Sequence, residues 1–426
     1  MKLLPNLLAL AVLAALSAPA QAETEFDVIG GSEISFEGLI QADYNGFNND
    51  VANLNNSILD GKDSDSQIRR SELVFKGKGP GMWNWVVGYD ATAKKFLDTN
   101  VSYKFSGFTS VTFGQFKQPI SMEELSSTKN NDFTSKAMAT NLYGISRRFG
   151  LSAATGSDNW TLTGSVFGRE LTRNLGEGNG YGGRFTFAPI NEAGNILHFG
   201  LSGVSFAARD PGGSLSGVIG SNGDHLARLR VRPDADLTNT RLVDSGQIAD
   251  GDRVAIVGVE GAWVHGPIKI QSEYMTANIS RNTHADFKSN SWYVYGVWNL
   301  TGETWGYKNG VITTGLPDAP ASGMWQVGVR YDKADLNDGS VNFANPASPV
   351  VTGVMGGKES NWTVGVNWYW RSNFKFALNY VKVSSEKYIA KTGPAYSADP
   401  AWNNRVVNNF LKDDPSIIEL RAQIYW

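Results

Sequence analysis

From Ile418 to Trp426 the chain alternates strictly. Ile418, Leu420, Ala422, Ile424 and Trp426 fall on one side, and Glu419, Arg421, Gln423 and Tyr425 on the other. A period of two puts each set on its own face of a strand. Chain ends tend to fray, so a soluble domain seldom finishes on a fully alternating strand with a terminal Trp. A transmembrane barrel needs that strand intact, because it closes the ring against the first. Similar runs recur along the chain between clusters of turn residues. Sixteen are recognisable. They begin near Ile34, Ile68, Met82, Phe96, Thr109, Gly144, Trp160 and Gly180, then near Ile196, Arg253, Pro267, Lys288, Met324, Trp362, Phe374 and Ile417. The pattern predicts an all-β fold: a transmembrane antiparallel β-barrel of about 16 strands, an even number that leaves both termini on one side.

Single strands carry the membrane pattern. Trp362, Val364, Val366, Trp368 and Trp370 share a face that is aliphatic in the middle and aromatic at both ends, as a lipid band between two interfacial girdles requires. After Arg371-Ser372-Asn373 the alternation resumes, with Phe374, Phe376, Leu378 and Tyr380 expected to face out and Lys375, Ala377 and Asn379 in. Ile268 and Ile270 likewise oppose Lys269, Gln271 and Glu273. Connections alternate between short and long. Gln118 to Tyr143 and Ala208 to Asp252 are the two long ones that matter, and long segments without their own structure are usually functional. They are expected to fold into the pore. Thr301 to Gly323 is long where a tight turn is expected; either it folds back or the strand count shifts there.

Composition supports the same class. Cysteine is absent, aromatics make up 12% with 13 Trp, and mean hydropathy is −0.26. That is too polar for a helical membrane protein and rich in aromatics for a soluble one, whereas a barrel puts half of each strand in lipid and half in water. A secreted β-sandwich or solenoid is the competing class. Lys2, the apolar run Leu7 to Leu16 and Ala20-Gln21-Ala22 read as a secretory signal peptide over residues 1–22. The barrel domain is then 23–426, with 37 basic against 41 acidic residues. No stretch approaches the roughly 18 apolar residues of a membrane-spanning helix.

Arg228-Leu229-Arg230-Val231-Arg232 is the sharpest chemical pattern. In extended chain the three guanidinium groups line one face at roughly 7 Å spacing. Like charges so placed repel without a partner or a purpose. Arginine is permanently charged and shaped to hold an oxyanion bidentately. The competing reading is a solvated loop with its arginines paired to Asp224, Asp234 and Asp236. Arg69-Arg70 opens the second strand, where alternation allows only one of two neighbours to project into the lumen. Gly114-Gln115-Phe116-Lys117-Gln118-Pro119 leads out of the fifth strand, and Met122 to Lys129 places hydroxyls beside lysine.

Together these residues resemble the phosphate- and polyphosphate-selective outer-membrane porins, a family of sixteen-stranded trimers. The resemblance is carried by Gln41-Ala42-Asp43-Tyr44, Arg69-Arg70 with Leu73 and Phe75, Gly114 to Pro119, Asn195 to Gly200, the arginine ladder, and Gly365-Val366-Asn367-Trp368-Tyr369. It implies an anion site at a constriction built from Arg69, Arg70, Ser127 and Thr128, with Asp98 tuning the positive field. It also implies that Arg228, Arg230 and Arg232 guide anions inward. The terminal aromatic is similar to the assembly signal of outer-membrane barrels, with Trp in place of the usual Phe. This chain departs from the family at Leu39, where a lumenal arginine is expected, at Glu124 in place of a lysine, and at Glu72 in place of an aromatic. Lys117 occupies a further constriction position. These changes bear on strict orthophosphate selectivity.

The expectation is passive uptake of phosphate, pyrophosphate or polyphosphate across a bacterial outer membrane, by a homotrimer in contact with outer-membrane lipid. No cofactor, metal or nucleic acid is expected. The alternative is a general or weakly anion-selective porin. A net acidic charge does not oppose anion selectivity, because the Debye length at physiological salt is about 8 Å and pore-lining charges dominate. Of His198, His225, His265 and His284, none sits in a nucleophile or metal-ligand motif, so a barrel-borne lipase or protease has little support. The Trp-rich strand faces lipid, which removes its appeal as a sugar track.

Overall fold

The computed structural model describes residues 24–28, 32–55, 63–172, 178–208, 227–248, 250–315, 317, 321–389 and 408–426. The expected signal segment, residues 1–22, lies outside them. The strands run β1 (Thr24–Val28), β2 (Ser32–Asn48), β3 (Ser64–Lys78), β4 (Trp83–Asp90), β5 (Lys95–Lys104) and β6 (Ser110–Lys117). There follow β7 (Arg147–Gly156), β8 (Trp160–Phe167), β9 (Gly180–Glu192), β10 (Asn195–Ala207), β11 (Arg230–Val231) and β12 (Val243–Asp244). Next come β13 (Gly251–His265), β14 (Ile268–Arg281), β15 (Phe287–Asn299), β16 (Trp305–Lys308), β17 (Val311–Thr314) and β18 (Met324–Asn342). The chain ends with β19 (Val350–Trp370), β20 (Phe374–Ile389), β21 (Asn409–Asp413) and β22 (Ser416–Tyr425).

Among the described residues, sixteen of these strands form one closed antiparallel ring, in which β22 pairs with both β20 and β2. At the seam Gly38 and Trp426 exchange backbone hydrogen bonds of 3.0 and 3.1 Å. A Cβ on Gly38 would lie 2.1 Å from the Trp426 indole, so the closing aromatic needs glycine opposite it. β1, β11, β12, β16, β17 and β21 lie outside the ring order. Most ring strands begin close to where the alternation placed them; β19 starts at Val350, well before Trp362.

The outer surface carries the expected girdles. Trp362 and Val364 are exposed, and Trp362 packs on Tyr331 at 4.8 Å, which in turn meets Trp292 at 5.4 Å. Near the other rim Trp325 stacks on Trp368 at 5.4 Å. Phe374, expected to be exposed, is buried, with the Trp370 ring 5.3 Å away.

The lumen is largely filled. The third loop at the long-loop rim, L3 (residues 118–146), crosses it and carries α1 (Met122–Leu125) and α2 (Met138–Tyr143). The wall holds this loop by its backbone. Glu273 accepts the N–H groups of Met122 and Glu123 at 3.2 and 2.8 Å. Arg330 donates to the Ser135 carbonyl, and Arg421 to that of Thr134, both at 2.8 Å. Phe133 lies over Gly328 and Gly365 of β18 and β19, where an added Cβ would come within 3.1 and 3.2 Å of its ring. The fifth loop, L5 (residues 208–250), contributes the β11–β12 hairpin.

The connection 301–323 proves to be the folded-back alternative, and the strand count is unaffected. Its hairpin β16–β17 turns on Asn309 (φ 51°) and Gly310 (φ 77°), the left-handed pair that a two-residue hairpin demands. It enters the lumen from the tight-turn rim. Trp305 is buried, the Tyr307 hydroxyl bonds His198 Nδ1 at 2.8 Å, and Arg184 donates to the Gly310 carbonyl at 2.6 Å.

Candidate functional site: an arginine-bearing loop above a charged chamber

The predicted residues separate into two groups. In the L5 group, Leu229 and Val231 are buried while Arg228, Arg230 and Arg232 sit on the opposite, partly open face. Apolar contact fixes one side of the segment and thereby turns all three guanidinium groups the same way. Arg228 donates to both carboxylate oxygens of Asp244, one of them at 2.7 Å. Arg232 Nε donates to the Thr238 carbonyl at 2.6 Å. The return arm adds Arg241, which donates to the Asn239 carbonyl at 2.8 Å. Burial and the neighbouring Arg232, Arg230 and Arg228 push its guanidinium down to about 9.

Arg69 and Arg70 both reach the lumen, contrary to strict alternation. On β2, Gln41 pairs with Arg70 and the next residue, Ala42, pairs with Ile68, so Arg69 is the extra residue of a bulge. Bulges re-aim side chains in this way. Arg69 pairs with Asp236 of L5 at 3.1 Å, and Arg70 with Glu72 at 3.0 Å. Burial works against charge on Asp236, but Arg69, Arg232 and Arg421 together hold its carboxyl well below the usual range. Arg421 also grips Asp43 bidentately at 2.7 and 2.6 Å.

The second group lines a cavity of about 440 Å³ bounded by L3, β2 to β7, β14, β15 and β17. Asp98, Lys117, Ser127 and Thr128 border it together with Glu72, Lys129, Arg147 and Lys269. A second bulge serves Asp98: Val87 pairs with Thr99 and Tyr89 with Phe96, leaving Leu97 and Asp98 opposite Gly88. Asp98 accepts from Arg147 at 2.8 Å. Lys117 is directed at the carbonyls of Glu124 and Ser126, at 2.5 and 3.0 Å, and so also fastens the end of α1. Glu124 pairs with Lys136 at 2.5 Å; burial opposes its charge, yet Lys136 and Lys117 keep its carboxyl low. Arg69 and Arg70 do not border this cavity; Glu72, two residues along the strand from Arg70, does. The hydroxyls and the arginine pair therefore occupy successive levels.

Sequence reasoning missed Arg147, Arg241 and Arg421. Arg147-Arg148 opens β7 as a doublet much like Arg69-Arg70, and Arg421 lies on the polar face of the last strand, so both were visible as patterns. Arg241 carried no local signal. Among the described residues, no group of His, Cys, Asp and Glu is arranged to hold a metal ion.

Comparison with known proteins agrees with this architecture. Porin O of Pseudomonas aeruginosa is 27% identical over 391 residues, covering 85% of each chain. A protein of Caulobacter vibrioides is 28% identical over 339 residues, 74% of this chain and 62% of that one. Among solved structures, the fold is similar to OmpT of Vibrio cholerae (TM-score 0.55, 9% identity, 95% of this chain and 100% of that one). It is also similar to the anion-selective porin of Comamonas acidovorans (TM-score 0.53, 12% identity, 93% and 100%). The family model described as phosphate-selective porin O and P matches residues 37–426, so this chain is a bacterial outer-membrane β-barrel belonging to that porin family.

Proposed function

We propose that the protein is an anion-selective diffusion channel whose solutes are phosphate, pyrophosphate or polyphosphate. The observation that carries this reading is the set of three alternating arginines on the open face of L5, joined by Arg241 and continued by Arg69 and Arg70 in the wall. An oxyanion entering from the loop rim exchanges its hydration for guanidinium donors there, as filters generally replace water with their own ligands. It then meets Arg147, Lys129 and the hydroxyls of Ser127 and Thr128 in the chamber. The carboxylates of Asp236, Glu72 and Asp98 act as internal counter-ions, and they keep binding weak enough for release. Homotrimeric assembly is part of the same proposal and rests on the family.

A general, weakly anion-selective porin is the second reading. It is favoured by the carboxylate found beside Arg69, Arg70 and Arg147. Reversal potentials in planar bilayers across a chloride gradient, followed by titration with phosphate and pyrophosphate, separate the two. Anion-selective current blocked by phosphate and relieved by Arg230→Ala supports the first. Unblocked current leaves the second, and cation selectivity removes both.

A further inference from the structure

We propose that the outward faces of β15, β18, β19 and β20 form a binding surface for the phosphorylated head group of an anionic glycolipid in the outer leaflet. Its basic residues are Lys288, Lys333, Lys358 and Lys382, one on each strand. Each is exposed and flanked in sequence by two buried residues, so each points away from the pore. This surface is separate from the anion path and does not depend on it.

The level of these lysines is set by the aromatic girdle. Lys333 lies two residues beyond Tyr331 and Lys382 two beyond Tyr380, while Lys288 and Lys358 lie four beyond Trp292 and Trp362. At about 3.4 Å per residue Lys288 and Lys358 attach roughly 14 Å along the strand outside the girdle tryptophans, whereas Lys333 and Lys382 attach level with them and extend their ammonium groups toward the head groups. Pairing brings them together laterally: Lys333 stands opposite Trp292 and Ser360, and Lys382 opposite Trp362. All four lie toward the long-loop rim, which faces outward in barrels of this kind.

The opposite rim differs. Near it the outward positions of these strands are Trp298, Trp325, Trp368, Trp370 and Phe376; Lys375 and Arg330 are buried. The nearest cation, Arg371, belongs to the turn and lies 5.3 Å over Trp370. The basic belt is thus confined to one leaflet. Local acids offset one member: Asp335 pairs with Lys358 at 3.4 Å and Glu386 stands opposite it, so the belt's charge rests chiefly on Lys288, Lys333 and Lys382. The Lys288 backbone, not its ammonium, binds Asp338 at 2.7 Å. Lys382 donates one proton to the Asp414 carbonyl, and an ammonium has three. A soluble anion would gain only the charge contact. A lipid also lays its acyl chains on Val294, Val329, Val364 and Leu378 below the girdle.

The test is native mass spectrometry of the delipidated full-length protein in detergent, titrated with bis-phosphorylated lipid A, dephosphorylated lipid A or inorganic phosphate. Bis-phosphorylated lipid A is expected to bind wild type at least about tenfold more tightly than the variant Lys288→Gln/Lys333→Gln/Lys358→Gln/Lys382→Gln. Single-channel conductance of the variant should match wild type, which shows that the barrel is intact. If the fourfold variant does not assemble, Lys333→Gln/Lys382→Gln gives the same reading. Equal binding by variant and wild type overturns the proposal. So does equal binding of dephosphorylated lipid A, or displacement of the lipid by millimolar inorganic phosphate.

Discussion

Arg69 of the barrel wall and Asp236 of L5 meet across the lumen at 3.1 Å. One ion pair therefore ties the bulged strand β3 to the loop that carries the arginine ladder. Asp236→Asn removes the counter-ion shared by Arg69, Arg232 and Arg421. We expect a higher anion-to-cation permeability ratio, read from the reversal potential in a chloride gradient. Arg69→Ala should shift the ratio the other way, and movement of both variants in one direction would refute this account.

Glu72 offers a second lever. It pairs with Arg70 at 3.0 Å and borders the chamber, so it competes with any bound anion. Glu72→Gln should strengthen phosphate block several-fold, since a tenfold change in affinity needs only about 1.4 kcal/mol. An unchanged block would mean that Arg70 does not contact the solute.

The position of L3 rests on Phe133 over two glycines. Truncating a well-packed Phe typically costs about 3–5 kcal/mol. Phe133→Ala should loosen the loop and raise single-channel conductance, with added current noise. Gly365→Leu should have a similar effect by pushing on the same ring. Wild-type conductance in both variants would show that the backbone anchors from Glu273, Arg330 and Arg421 suffice.

Two loop carboxyls predict how the packing responds to acid. Asp236 is depressed, so its contribution is present above the unfolded value of about 3.9 and is lost only as pH falls through the lower folded value. Glu123 is raised by burial, against Arg330, Thr140 and Lys136, so its protonation favours the docked loop as pH falls. Hydrogen exchange should find L3 and L5 at least as protected at pH 5 as at pH 7, with loss confined to below about pH 4. Opening of the loops between pH 7 and 5 would contradict the assignment.

The inward hairpin is the last test. Tyr307→Phe removes its bond to His198, and replacing Asn309-Gly310 by Ala-Ala removes the turn geometry. The second change should open the chamber toward the periplasm and raise conductance more than the first. Equal, wild-type currents would mean that the hairpin stands clear of the ion path.

Sequence alone was enough for the barrel. The strand count, the lipid-facing girdle at Trp362 and Trp368, and the closing strand ending at Trp426 all follow from a two-residue period, which is local and survives in any one-dimensional reading. The arginine ladder was legible for the same reason, since alternation alone sends Arg228, Arg230 and Arg232 to one side. Tertiary structure decided the rest. That Arg69 and Arg70 both face the lumen depends on a bulge, a mismatch between two strands that neither strand shows by itself. The ion pairs of the wall come from afar, Arg69 meeting Asp236 and Arg147 meeting Asp98, whereas the ladder's Arg228 is held within its own loop by Asp244. Within the connection after β15, Trp305 to Thr314 became a lumenal hairpin because buried Arg184, His198 and Lys269 offer contacts that a solvated turn lacks. Periodicity tells each side chain which way to face; only the closed ring, with its loops inside, determines what it meets there.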